Sequence, residues 1–203
     1  MEFISDPQVL LETLGPYVLP GLALVLFIES GALFPFLPGD SLIFTAALLH
    51  TQFGFSITAL LIVGIISAFL GVQAGYWLGS HFGRRLFKDD ARILKTEYLH
   101  SAEDFFTKYG PQSLILSRFV PIVRTFVPLA AGTARMNYTK FLIYNGIAAV
   151  AWVSLMMILG LTLGKIEYVA THIDVIAVLI VFISVLPMVI AYIKKKFFTR
   201  DNN

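Results

Sequence analysis

Hydrophobic residues in this chain fall into five runs, roughly 16–49, 57–80, 112–134, 141–163 and 173–193, parted by short polar breaks and one long hydrophilic stretch from His81 to Gly110. A helix needs about 20 apolar residues to cross a bilayer, so 57–80, 141–163 and 173–193 each predict one spanning helix. The run 16–49 is too long for one clean helix. Two runs are also broken inside. The first break reads Glu29-Ser30-Gly31-Ala32-Leu33-Phe34-Pro35-Phe36-Leu37-Pro38-Gly39-Asp40, and the second reads Arg118-Phe119-Val120-Pro121-Ile122-Val123-Arg124-Thr125-Phe126-Val127-Pro128. Irregular backbone survives at membrane depth only around a cavity or inside protein, and paired broken segments in two halves of a chain mark transporter sites. The pattern predicts a membrane transporter with an anionic substrate.

Basic residues set the orientation. Arg84, Arg85, Lys88, Arg92, Lys95 and Lys108 lie in the hydrophilic stretch, and Lys194, Lys195, Lys196 and Arg200 in the tail. Both regions are predicted to be cytoplasmic, because loops rich in Lys and Arg stay inside. If 112–134 crossed the membrane, Arg135, Lys140 and the tail would lie outside. The charges are reconciled if 112–134 enters and returns from the cytoplasmic side, hinged at Pro121 and Pro128, and 16–49 does the same from the outside, hinged at Pro35, Pro38 and Gly39. The expected architecture is an all-α integral membrane protein, an inverted repeat of two re-entrant helical hairpins each followed by a transmembrane helix, plus a C-terminal transmembrane helix. It forms a single membrane domain, 1–203: a first repeat at about 7–80, a cytoplasmic loop at about 81–110, a second repeat at about 99–164, and a last helix at about 173–193 with a basic cytoplasmic tail. The segments Pro7 to Leu14 and Leu99 to Tyr109, ahead of each hairpin, read as interfacial amphipathic helices.

The helix at 57–80 carries Ser67, Gly71, Gly75, Gly79 and Gly83 at four-residue spacing, and 141–163 carries Gly160 and Gly164. Such a stripe lets another backbone approach closely and predicts a packing face. It could serve one chain or a homo-oligomer. Asn145 and Trp152, seven apart, share one side of their helix.

Composition narrows the class. Of 203 residues, 57% are hydrophobic and 14% charged, far from a soluble domain, and the net charge of +2 is too small to argue for nucleic acid. Zero cysteines exclude disulfides, thiolate chemistry and Cys-ligated metal sites. Met1 to Pro7 holds Glu2 and Asp6 but no Lys or Arg, so a cleaved signal peptide is not expected.

Four charges lie within the broken runs: Glu29 and Asp40 in one, Arg118 and Arg124 in the other. Each would cost roughly 2.5–3.5 kcal/mol at the centre of a membrane helix, so they must be paired, hydrated or both. If the hairpins meet tip to tip, the acids face the arginines. A phosphate could then take over the arginines, since a guanidinium fork makes two charge-assisted hydrogen bonds to it. The displaced carboxylates would be free to accept protons, a route to proton coupling, though carboxylates at broken helices also bind Na⁺. Asp40 could alternatively just satisfy the start of a returning half-helix.

Glu29 with Pro35-Phe36-Leu37-Pro38-Gly39-Asp40, the helix Gly71-Val72-Gln73-Ala74-Gly75-Tyr76-Trp77-Leu78-Gly79, and Arg118-Phe119-Val120-Pro121-Ile122-Val123-Arg124 continuing to Ala131-Gly132 together resemble the DedA family, also called the VTT or SNARE-associated-Golgi-protein-like family. Asn145 and Trp152 fit its pattern, and the resemblance covers about residues 15 to 165. One departure is Gln73, where many members have an acid. The resemblance implies a bacterial inner-membrane protein, C-terminus cytoplasmic, that moves lipids in dependence on the proton gradient. Undecaprenyl phosphate, returned from the outer to the inner leaflet, is the leading substrate, and phospholipid scrambling is the alternative. It places the family's essential acids on Glu29 and Asp40 and its essential arginines on Arg118 and Arg124. Partners are then an anionic lipid, protons or Na⁺, and the membrane.

Two other classes fit parts of the pattern. A lipid-phosphate enzyme would use the arginines as a clamp, but there is no His near either, no metal-ligand cluster and no phosphate-loop spacing, so neither an enzyme nor a bound metal or cofactor is expected. A membrane-organising protein would keep the four charges as structural ion pairs.

Overall fold

The computed structural model describes residues 7–31, 39–86 and 96–163, all of them in helices and the turns between them. Pro35, Pro38, the basic residues 88–95, the expected helix at 173–193 and its tail lie outside the described residues. The helices are α1 (Pro7–Leu14), α2 (Val18–Ser30), α3 (Gly39–Leu48), α4 (His50–Phe53), α5 (Ile57–Phe82), α6 (Thr96–Tyr109), α7 (Ser113–Leu116), α8 (Pro121–Thr133) and α9 (Tyr138–Leu163). Among the described residues three stretches, Leu11–Ser30, Ile57–Phe82 and Tyr138–Leu163, are long and apolar enough to cross a membrane.

The first stretch is composite. Gly15 takes φ +49°, a left-handed value that only glycine adopts without strain, and with Pro16 it opens a 3₁₀ turn that parts α1 from α2. The second half repeats the device: Gly110 takes φ +56° after α6, and Pro111 opens the 3₁₀ turn before α7. The long helices also start alike. The Ser56 hydroxyl accepts the Ala59 N–H at 3.0 Å, and the Asn137 side chain accepts the Lys140 N–H at 3.1 Å, each satisfying a donor that a helix start leaves free. α5 and α9 are both 26 residues long.

Packing crosses between the halves. α3 of the first half packs on α9 of the second, and α8 of the second packs on α5 of the first, while α1 covers α3 and α6 covers α8. Glycines permit the crossings. A methyl on Gly79 would strike the Leu129 backbone in α8, and one on Gly160, at the same register of α9, would come 2.5 Å from the Phe44 carbonyl in α3. Gly71 likewise lets α2 onto α5, so Gly71, Gly75 and Gly79 of the stripe are spent on contacts within the chain, whereas Gly83 caps the end of α5 in open space. Two apolar cores result. One joins Leu22, Leu26, Leu42 and Ile43 to Val153 and Met157; the other joins Leu99, Leu114, Phe126 and Leu129 to Val72 and Phe141.

Candidate functional site

The charged site lies between the two cores, and four separate elements supply its charges. In α2 the buried stripe runs Val18, Leu22, Leu26, Glu29, so the helical repeat places a carboxylate at the end of an apolar face. Asp40 stands in the first turn of α3, where the helix dipole favours an anion. Arg118 belongs to the 3₁₀ turn Ser117–Phe119, and Arg124 to the first turn of α8. A cation there opposes the helix dipole, which makes its acid partners necessary.

Pairing is uneven. Arg124 forks across both acids, Nη1 to Asp40 Oδ2 and Nη2 to Glu29 Oε1. The indole Nε1 of Trp152 donates to the other Asp40 oxygen at 2.7 Å. Arg118 lines the same cavity, and its buried Nη2 has no hydrogen-bond partner among the described residues. The two acids therefore do not divide themselves between the two arginines, as charge counting suggests; the fork of Arg124 matches two carboxylates at once, and Arg118 is left over. Glu29 is 5% exposed, and the cavity among the four charges holds about 20 Å³, room for about one water.

The expected hinges divide. Pro35 and Pro38 are not described. Gly39 is the first residue of α3 rather than a bend, and its special need is space: any side chain there would collide with the Glu29 carboxylate, which the Gly39 backbone hydrogen-bonds. Pro121 opens α8 directly after the extended residue Val120 (φ −123°, ψ 102°), so the chain does turn there. Pro128 is no hinge. It lies inside α8 and packs against Gly75 of α5, because a proline ring in a helix removes one ladder bond without reversing the chain.

Two participants escape a reading of charge and proline alone. Trp152 holds Asp40, and its sequence signals are its fit to the family pattern and its helical spacing from Asn145, itself buried and donating to the Phe69 carbonyl at 3.1 Å. Gly39 signals a turn in the sequence and serves a close approach in the fold. Gln73 donates to the Tyr138 hydroxyl at 3.1 Å and does not line the charged cavity.

Comparison with known proteins finds membrane proteins of similar sequence. Residues 24–162 match the VTT domain. The chain is 40% identical over 197 residues to "Uncharacterized membrane protein Rv0364" of Mycobacterium tuberculosis, covering 94% of this chain and 87% of that protein. It is 39% identical over 187 residues to "Protein DedA" of Escherichia coli, covering 90% and 85%. "Inner membrane protein YqjA" of Escherichia coli is 34% identical over 148 residues, covering 71% and 66%. No solved structure matches.

Proposed function

Because this chain belongs to the DedA family of VTT-domain membrane proteins, we propose that it carries an anionic lipid across the bilayer by lodging the lipid's phosphate between Arg118 and Arg124. The observation that carries this reading is the unpartnered, buried Nη2 of Arg118 beside a cation already holding two acids. A buried donor with no acceptor costs free energy in the resting protein, and an incoming phosphate oxygen would satisfy it. The arriving anion also competes with Glu29 and Asp40 for Arg124, which leaves each carboxylate ready to take a proton. Lipid and proton, or Na⁺ in the carboxylates' place, would then move together.

The driving forces suffice: one charge moved through 100 mV contributes about 2.3 kcal/mol, and each pH unit about 1.4 kcal/mol per proton. Undecaprenyl phosphate returned to the cytoplasmic leaflet is the substrate we favour, its tail remaining in hydrocarbon and its bonds unchanged. The inner membrane is the proposed location, in keeping with the printed name of YqjA. Re-entrant hairpins belong to the same reading. α3 has 10 residues and α8 has 13, about 15 and 20 Å at 1.5 Å per residue, short of a hydrocarbon core of roughly 30 Å.

Proteoliposomes test the proposal. Leaflet-specific accessibility of undecaprenyl phosphate is followed with and without a pH gradient, wild type beside Arg118→Ala. Gradient-dependent relocation that the variant lacks is expected. Folded wild type that relocates nothing would turn the four charges into a structural lock.

A further inference from the structure

The charged cavity needs an entrance that a lipid can use without drawing its tail into the protein. Its apolar wall residues Leu26, Ile43, Ala68, Val72 and Val153 are all buried in the two cores. Trp152 differs. It lines the cavity on one side, and on the other it takes the ring of Phe119 edge-on, centroids 5.2 Å apart at 86°. Phe119 is 56% exposed, a large apolar ring left on the surface of a membrane protein. It also directly follows Arg118 in the same 3₁₀ turn. The exposed ring and the residue offering the unpartnered guanidinium nitrogen are thus consecutive.

From this geometry we infer that Phe119 and Trp152 form a lateral door between the bilayer and the charged cavity, and that the door is tied to Asp40. The inference rests on the anionic-lipid reading and specifies its route. A phosphate entering beside Arg118 displaces the Phe119 ring from Trp152. Trp152 then shifts, and its N–H is withdrawn from Asp40 Oδ1. Asp40 loses that bond as the phosphate competes for Arg124, so the charged groups facing it, Glu29 from α2, Arg124 from α8 and Arg118 from the turn before it, are redistributed in one event. Trp152 acts here as a positioning residue. It holds Asp40 toward Arg124 while the door is shut and lets it go when lipid enters.

The chain has two tryptophans, Trp77 and Trp152, and Trp77 lies outside the cavity. In a full-length Trp77→Phe background Trp152 is the sole indole reporter. In nanodiscs, undecaprenyl phosphate should shift its emission, and undecaprenol, which has the tail without the phosphate, should not. Phe119→Ala, a change at an exposed position, should abolish the lipid-induced shift. Trp152→Phe keeps a ring but removes the N–H. It should lower the maximal relocation rate about tenfold or more, the loss expected for one hydrogen bond to a charged group, at unchanged apparent affinity for the lipid. Relocation by wild type with a silent Trp152, or a wild-type rate in Trp152→Phe, overturns the door while leaving the transport reading intact. Absence of relocation in the folded wild type overturns both.

Discussion

Two arginines of equal formal charge occupy different situations in this site, and the difference can be measured. Arg124 satisfies the buried Glu29 and the part-buried Asp40, so Arg124→Ala strands both, and loss of one partner from a buried ion pair typically costs about 3–5 kcal/mol. Arg118 has a buried nitrogen without a partner, so Arg118→Ala removes an unmet donor and should change unfolding free energy by about 1 kcal/mol or less. Denaturant unfolding in detergent should therefore show Arg124→Ala far less stable than wild type and Arg118→Ala close to it, with transport lost in both. Equal destabilisation would mean that Arg118 is held as firmly as Arg124. The four charged residues were legible in the sequence, since ionisable groups within apolar runs stand out. Their pairing was not. Which acid meets which base depends on where α8 begins relative to α3, and a residue such as Trp152, apolar by composition and polar by one N–H, carries no mark of its partner 112 positions away.

At the scale of helices, the glycine faces explain why these elements pack as they do. Gly160→Ala in α9 would bring a methyl 2.5 Å from the Phe44 carbonyl and 2.9 Å from the Ala47 Cβ of α3. Overpacking of this kind costs about 1–3 kcal/mol, visible as a lowered melting temperature. Gly146→Ala in the same helix meets nothing closer than the Phe69 ring at 3.9 Å. It should hold or gain up to about 1 kcal/mol from helix propensity. Should both variants melt alike, close backbone approach is not what holds α3 to α9. The long helices were readable within a few residues, Ile57–Phe82 against 57–80 and Tyr138–Leu163 against 141–163, because uninterrupted apolar runs admit only one solution in a bilayer. The broken run 112–134 was harder. It resolves into α7, a 3₁₀ turn, the extended Val120 and α8, with the turn at Pro121 and none at Pro128, a distinction set by packing on Gly75 rather than by local preference.

For the whole molecule, the distribution of Lys and Arg predicts a sidedness that labelling can test. The chain has no cysteine, so single introduced thiols report without background. Gln52 in α4, ahead of α5, and Thr139 at the start of α9 are both exposed. Gln52→Cys should react with a membrane-impermeant maleimide added to intact cells, and Thr139→Cys only after the membrane is opened. The reverse pattern would invert the topology. The crossed pairing also bears on how the protein is made. Synthesis runs from the N-terminus, so Glu29 and Asp40 enter the bilayer before Arg124, 95 and 84 residues downstream, exists. At ribosomal speeds of about 5–20 residues per second, that interval is on the order of 4–20 s. Over that time the nascent first half has neither its counter-cation nor α9 to receive α3. Membrane insertion must therefore shelter two acidic side chains and an unmatched helix until the second half arrives, and the finished site records that late arrival in a single arginine.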